Sequence, residues 1–113
     1  MNDSILITIK KLLAISDEDD CFDLDVIIHI NSVFMDLTQL GVGPEAGFMI
    51  EDGGPVWSDF IPDPGKFEAV KTYMYLRVKL LFDPPTSSAA IEAMNKQIDK
   101  LEWRLNVAAE SKL

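Results

Sequence analysis

Five aspartates, Asp17, Asp19, Asp20, Asp23 and Asp25, fall within a short stretch near the start of the chain. Hard cations such as Ca2+ take several carboxylate oxygens from one loop, so the run invites a calcium-site reading. The spacing fails it. Counted from Asp17, the fifth position is Cys21 and the sixth, where an EF-hand loop turns on glycine, is Phe22. Counted from Asp19, the third position is again Cys21. The run reads as a solvated acidic connector, with weak cation binding as the alternative. His29 is the one histidine and Cys21 the one cysteine, so no zinc set with a third soft ligand can be assembled. A Ser-His-Asp or Cys-His pair would have to use His29 from a helix of Val and Ile, with no nucleophile turn beside it.

Two further patterns carry weak chemical signals. Gly41-x-Gly43 matches a fragment of a phosphate loop, but it follows a helical stretch and Pro44 removes a backbone donor, which makes it a helix stop and turn. Trp57, Tyr73, Tyr75 and Trp103 could stack on bases, yet they lie in an acidic chain with helical spacing, which favours core or interface packing. The sequence therefore assigns no catalytic residue, no cofactor and no metal site, and it reads as a protein that is not an enzyme.

The charge balance narrows the partners. Ten Lys and Arg face nineteen Asp and Glu, a net charge of −9, which opposes binding to phosphate backbones or anionic lipid. The balance is uneven along the chain. Residues 1–65 carry thirteen acids and two bases, whereas residues 66–113 carry six acids and eight bases. Copies of such a chain can attract head to tail. The single Cys21 makes no internal disulfide, and its acidic surroundings raise its thiol pKa, which suits a reducing, cytosolic setting. The start lacks a secretory pattern and no apolar run approaches the roughly 18 residues that cross a bilayer, so a soluble, untargeted protein is expected.

With 113 residues and 48% hydrophobic side chains, one domain over 1–113 is expected. Ile5, Ile9, Leu12 and Leu13 make one stripe of a short first helix, capped by Asp3 or Ser4, with Lys10 and Lys11 in its last turns. Val26, Ile27, Ile30, Val33, Phe34, Leu37 and Leu40 continue the helical period from Asp23, the expected N-cap, to Gly41. All six glycines and four of the six prolines then lie in residues 41–65. Phe48-Met49-Ile50 and Val56-Trp57 flank Asp52-Gly53-Gly54, which suits a short β-hairpin at 48–57. Phe48, Ile50, Trp57, Phe60 and Ile61 should pin this connection to a helical core. Helix resumes near Lys66 and is apolar nearly all round, which makes it central or shared between subunits, until Pro84-Pro85 stop it. Thr86, Ser87 or Ser88 caps a last helix with Ile91, Met94, Ile98, Leu101, Leu105 and Ala108 on one seam and Glu92 placed to pair with Lys96. Trp103 lies off that seam. The expected fold is all-α, four helices with a long Gly/Pro-rich connection between the second and third.

The stretches HINSVFMDLTQLGVGP, AVKTYMYLRVKLLFDPPTSS and LEWRLN, at 29–44, 69–88 and 101–106, resemble the small head-tail connector proteins of tailed bacteriophages and prophages. The most specific piece is the apolar helix broken by Phe82-Asp83-Pro84-Pro85 and followed by a helix ending in Leu101-Glu102-Trp103-Arg104-Leu105-Asn106. The acidic run at Asp17 to Asp20 and the Gly53-Gly54-Pro55 turn depart from the likeness. The resemblance implies a structural adaptor that forms a homo-oligomeric ring beneath the portal protein and prepares docking of a neck, stopper or tail-completion protein. It places the protein in the virion neck, and in the host cytoplasm during assembly. Its implied work is done by surfaces, without sequence-specific nucleic-acid or membrane binding.

Trp and Arg are enriched among binding hot spots, so Trp103 and Arg104, with Trp57, Phe60 and Arg77, are the residues expected at partner contacts. For Trp103 the competing reading is packing inside its own monomer. A reading from another class, an acidic nucleic-acid mimic that inhibits a DNA-binding protein, would need its carboxylates spread over one rigid face.

Overall fold

A computed structural model describes residues 3–110. Ser4 opens the first helix, α1 (Ile5–Leu12), by accepting a hydrogen bond from the Ile7 amide at its Oγ, 3.2 Å away. The same hydroxyl donates to the Gly53 carbonyl at 2.7 Å, so the helix start is tied to a loop forty-nine residues away. The chain then runs through α2 (Asp23–Gln39), the single turn α3 (Trp57–Phe60), a 3-10 turn (Pro64–Lys66), α4 (Phe67–Phe82) and α5 (Ser88–Glu110). The fold is all-α. Four of these helices are the expected ones, and α3 is an additional turn inside the Gly/Pro-rich connection.

The central position of α4 follows from its width of apolar surface. Phe67, Val70, Tyr73, Met74, Leu76 and Val78 are buried, and the helix packs on α2, α5 and α1. From α2 come Val26, Ile30, Val33, Phe34 and Leu37, and from α5 Ile98, Leu101 and Leu105. Full burial of each large apolar side chain contributes roughly 1.5–3 kcal/mol, which allows short helices that would not persist alone to hold together. Along α1 and its C-cap the buried apolar set is Ile5, Leu6, Ile9 and Leu13; Leu12, expected on this stripe, is exposed, and Leu6 is covered beside Gly53.

Lys10 joins α1 to the start of α2. Its ammonium, almost wholly buried, lies 2.8 Å from Asp23 Oδ1 in an ionic contact and donates to the Asp17 carbonyl at 3.3 Å. Asp23 is therefore the first residue of α2 and a charge partner; Phe22, not Asp23, occupies the N-cap, without a side-chain bond. At the far end, Gly41 N–H donates to Thr38 O and Val42 N–H to Leu37 O, which satisfies the last carbonyls in a Schellman arrangement with Val42 and Leu37 buried. Ser87 supplies the cap of α5, accepting from the Ala90 amide at 3.3 Å.

The hairpin expected at 48–57 does not form: there is no strand among the described residues. Asn31 takes both backbone groups of Ile50, accepting from its N–H at 2.9 Å and donating to its C=O at 3.0 Å. These are the groups a hairpin ladder needs. The second arm goes elsewhere as well, since Ile5 N–H bonds to Pro55 O and Val56 makes an isolated bridge with Ser4. The connection is nevertheless pinned as expected. Ile50, Trp57, Phe60 and Ile61 are buried, and Phe48, Phe34 and Phe60 form a three-ring cluster with centroids 4.6–5.4 Å apart.

The two helix ends that share one geometry differ in residue type. At the end of α1, Ile15 N–H bonds to Lys10 O and Ala14 N–H to Lys11 O, the same pattern as at Gly41, but Ala14 holds φ 64, where a Cβ is crowded. Ala14→Gly should raise the unfolding free energy by about 1 kcal/mol in chemical denaturation. Gly43→Ala should lower it by about 3 kcal/mol, because φ is 86 there and a Cβ would run into the Phe60 ring.

Candidate interaction site

Each expected contact residue has a definite place. Trp57 and Phe60 are 1% and 2% exposed, in the core, and offer no surface to a partner in this structure. Burial of the Trp57 ring leaves its indole N–H needing an acceptor, which Thr8 Oγ1 supplies at 3.2 Å. Of the two roles the sequence offered them, anchors of the loop and partner contacts, both side chains take the first, since the loop folds back over α1 and α2.

Arg77 is also turned inward. Its guanidinium lies 2.6 Å from Asp36 Oδ2 on α2 and 3.3 Å from Glu102 Oε2 on α5, and donates to the Tyr73 hydroxyl at 2.7 Å. Tyr73 in turn donates to Glu102 Oε2 at 2.7 Å. Burial, then the hydrogen bond to the Glu102 carboxylate, raises the Tyr73 pKa well above the ordinary tyrosine value. One cation thus satisfies groups from three helices, and its side chain retains 28% exposure. This hub is what orients α5 on the rest of the molecule, aided by Asn106, whose amide donates to the Leu40 carbonyl at the end of α2.

With α5 so oriented, Ile98, Leu101 and Leu105 face the core, and Lys96, Lys100, Trp103, Arg104 and Val107 fall on the opposite side of the helix, all exposed. Trp103 is 68% exposed, so it does not pack inside its own monomer. The expected pair between Glu92 and Lys96 does not form, and neither Lys96, Lys100 nor Arg104 makes an ion pair among the described residues. A large exposed aromatic ring among Lys96, Lys100 and Arg104, with Asp99 one turn before it, is an arrangement suited to protein contact.

A second surface was not singled out by sequence. On α2, Leu24, Ile28 and Met35 stand exposed on the side away from the buried Ile30, Val33 and Leu37. Met35 continues into a shallow groove of about 550 Å³ lined by Thr38, Gln39, Phe48 and Met49. The signal available was the set of offsets, four and eleven, which repeats one face of a helix. It was masked by the richer stripe on the core side of the same helix.

The remaining chemical candidates have structural explanations. Cys21 is exposed, and a hydrogen bond to Asp19, then the Asp19 charge, push its thiol pKa up. His29 packs its ring edgewise on Phe82, with centroids 6.4 Å apart. Among the described residues no cluster of His, Cys, Asp or Glu is arranged to hold a metal ion, and no helix is long and apolar enough to cross a membrane.

Comparison with protein families matches residues 5–112 to the phage connector proteins. The chain belongs to the phage connector family. Searches of curated proteins and of solved structures find no match. Connectors are structural proteins of the phage particle. In this connector the Arg77 hub ties α5 to α2 and α4.

The hub makes two measurable demands. Arg77→Met should cost about 2 kcal/mol of stability, because it leaves the Asp36 and Glu102 carboxylates close together without their cation. The raised Tyr73 pKa means the folded state holds that proton more tightly than the unfolded state. The associated stability is complete below about pH 10 and is lost as pH rises beyond it. Alkaline denaturation curves should fall more steeply above pH 10 for the wild type than for Tyr73→Phe; equal slopes would contradict the assignment.

Proposed function

We propose that this connector assembles as a homo-oligomeric ring beneath the portal and links the DNA-filled head to the next neck, stopper or tail-completion protein. The observation that carries the reading is the outer face of α5, where Trp103 is presented to solvent among Lys96, Lys100 and Arg104 by a helix whose other side is locked into the core. A chain that leaves its second tryptophan exposed gains nothing from it as a monomer, since burial of such a ring in a contact is worth several kcal/mol. Heterologous contacts between copies generate closed rings when the rotation closes, and a ring is the form that fits an axial channel. On this reading the protein works in the virion neck and is assembled in the host cytoplasm. The acidic-mimic reading has no comparable support, because the exposed charges of the longest helix are mixed, Glu92 and Asp99 beside Lys96, Lys100 and Arg104, and form no carboxylate face.

Electron microscopy of the protein mixed with its portal should reveal an added ring of density on the portal. Trp103→Ala should weaken association with the portal or with other copies by about thirtyfold, while circular dichroism keeps the wild-type helix content. Loss of helix content in that variant, or portals that stay bare with the wild type, would count against the reading.

A further inference from the structure

We infer that the outer face of α5 in one copy seats on the outer face of α2 in the next. The inference rests on the ring reading and names the two surfaces that meet. Both faces are unpartnered and carry exposed apolar residues: Leu24, Ile28 and Met35 along α2, and Trp103 and Val107 one turn apart on α5. The α2 stripe from Leu24 to Met35 covers about 16 Å of helix, and the α5 face from Lys96 to Val107 covers the same length, charged at its start and apolar at its end.

Their charges are complementary. Helix α2 contains no Lys or Arg. Its apolar stripe is flanked by exposed Asp25 at one end and at the other by Glu45, which shares the neighbours Thr38 and Gln39 with Met35. Neither acid makes an ion pair among the described residues. On α5 the flanking groups are Lys96, Lys100 and Arg104, equally unpaired, with the exposed acids Glu92 and Asp99 between and beside them, so that cations exceed acids on this face by one. Charges around an apolar centre select the partner and its register, while the ring at the centre supplies most of the affinity. The two faces make no ion pair with each other inside one copy, so each is free for a neighbour. Because the contact joins different surfaces, it propagates from copy to copy rather than ending at a dimer.

Charge reversal in two separate variants tests the contact. One carries Lys96→Glu, Lys100→Glu and Arg104→Glu; the other carries Asp25→Lys and Glu45→Lys. All five positions are exposed and lie outside the core and the Arg77 hub, and circular dichroism checks that both variants fold. Light scattering and analytical ultracentrifugation should find wild-type oligomers, at least about tenfold weaker self-association in each variant alone, and oligomers restored when the two variants are mixed. Only a contact between these two faces predicts the rescue. Wild-type oligomers that both variants retain would overturn the contact and leave the ring standing. Variants that self-associate normally but lose the portal would assign the α5 face to the portal instead, which also overturns it. A wild type that stays monomeric alone yet forms rings on the portal would overturn a self-sufficient contact without touching the ring, and bare portals would remove both.

Discussion

The arrangement of the three long helices depends on the Arg77 guanidinium. Asp36 and Glu102 come from helices on either flank of α4, and without a cation between them their carboxylates would repel across a partly buried gap. The Tyr73 hydroxyl, in a wholly buried side chain, would lose a donor as well. Ile98, Leu101 and Leu105 turn one side of α5 into the core, and the directed bonds of the hub hold that rotation in place.

What could be read from the sequence follows from how local the determining forces are. The helices were legible because their apolar residues repeat every three to four positions, and their ends because Gly41 and Pro84-Pro85 act within a few residues. The hairpin was not, because the competitor for its backbone groups was the Asn31 side chain, nineteen residues before Ile50. The same holds for Arg77. Its residue type suits a binding hot spot and an internal ion pair equally well, and the choice is made by Asp36 and Glu102, forty-one and twenty-five residues away. Trp57 and Phe60 were legible as anchors of the loop but not as buried ones. Trp103 was identified as off-seam from spacing alone, and its exposure follows from that spacing once the seam is in the core.

An ion pair joins the acidic and basic halves of the chain within one copy. Asp36 of the acidic half is neutralised by Arg77 of the basic half, and Asp23 finds its partner in Lys10 without leaving the acidic half. These internal pairs consume charges near the core. The exposed remainder is acidic around α2, which has no Lys or Arg, and mixed on α5, where Lys96, Lys100 and Arg104 stand beside Glu92 and Asp99.

Ser4 has a consequence of a different kind. Its hydroxyl closes the first turn of α1 and holds the Gly53 carbonyl at the same time, while Ile5 and Val56 add backbone bonds beside it. The beginning of the chain and the middle of its longest loop therefore share one fastening. Lifting the loop uncaps the helix, and fraying of the helix frees the loop, so the two are expected to open and close as a single cooperative unit in hydrogen exchange, although fifty residues of sequence separate them.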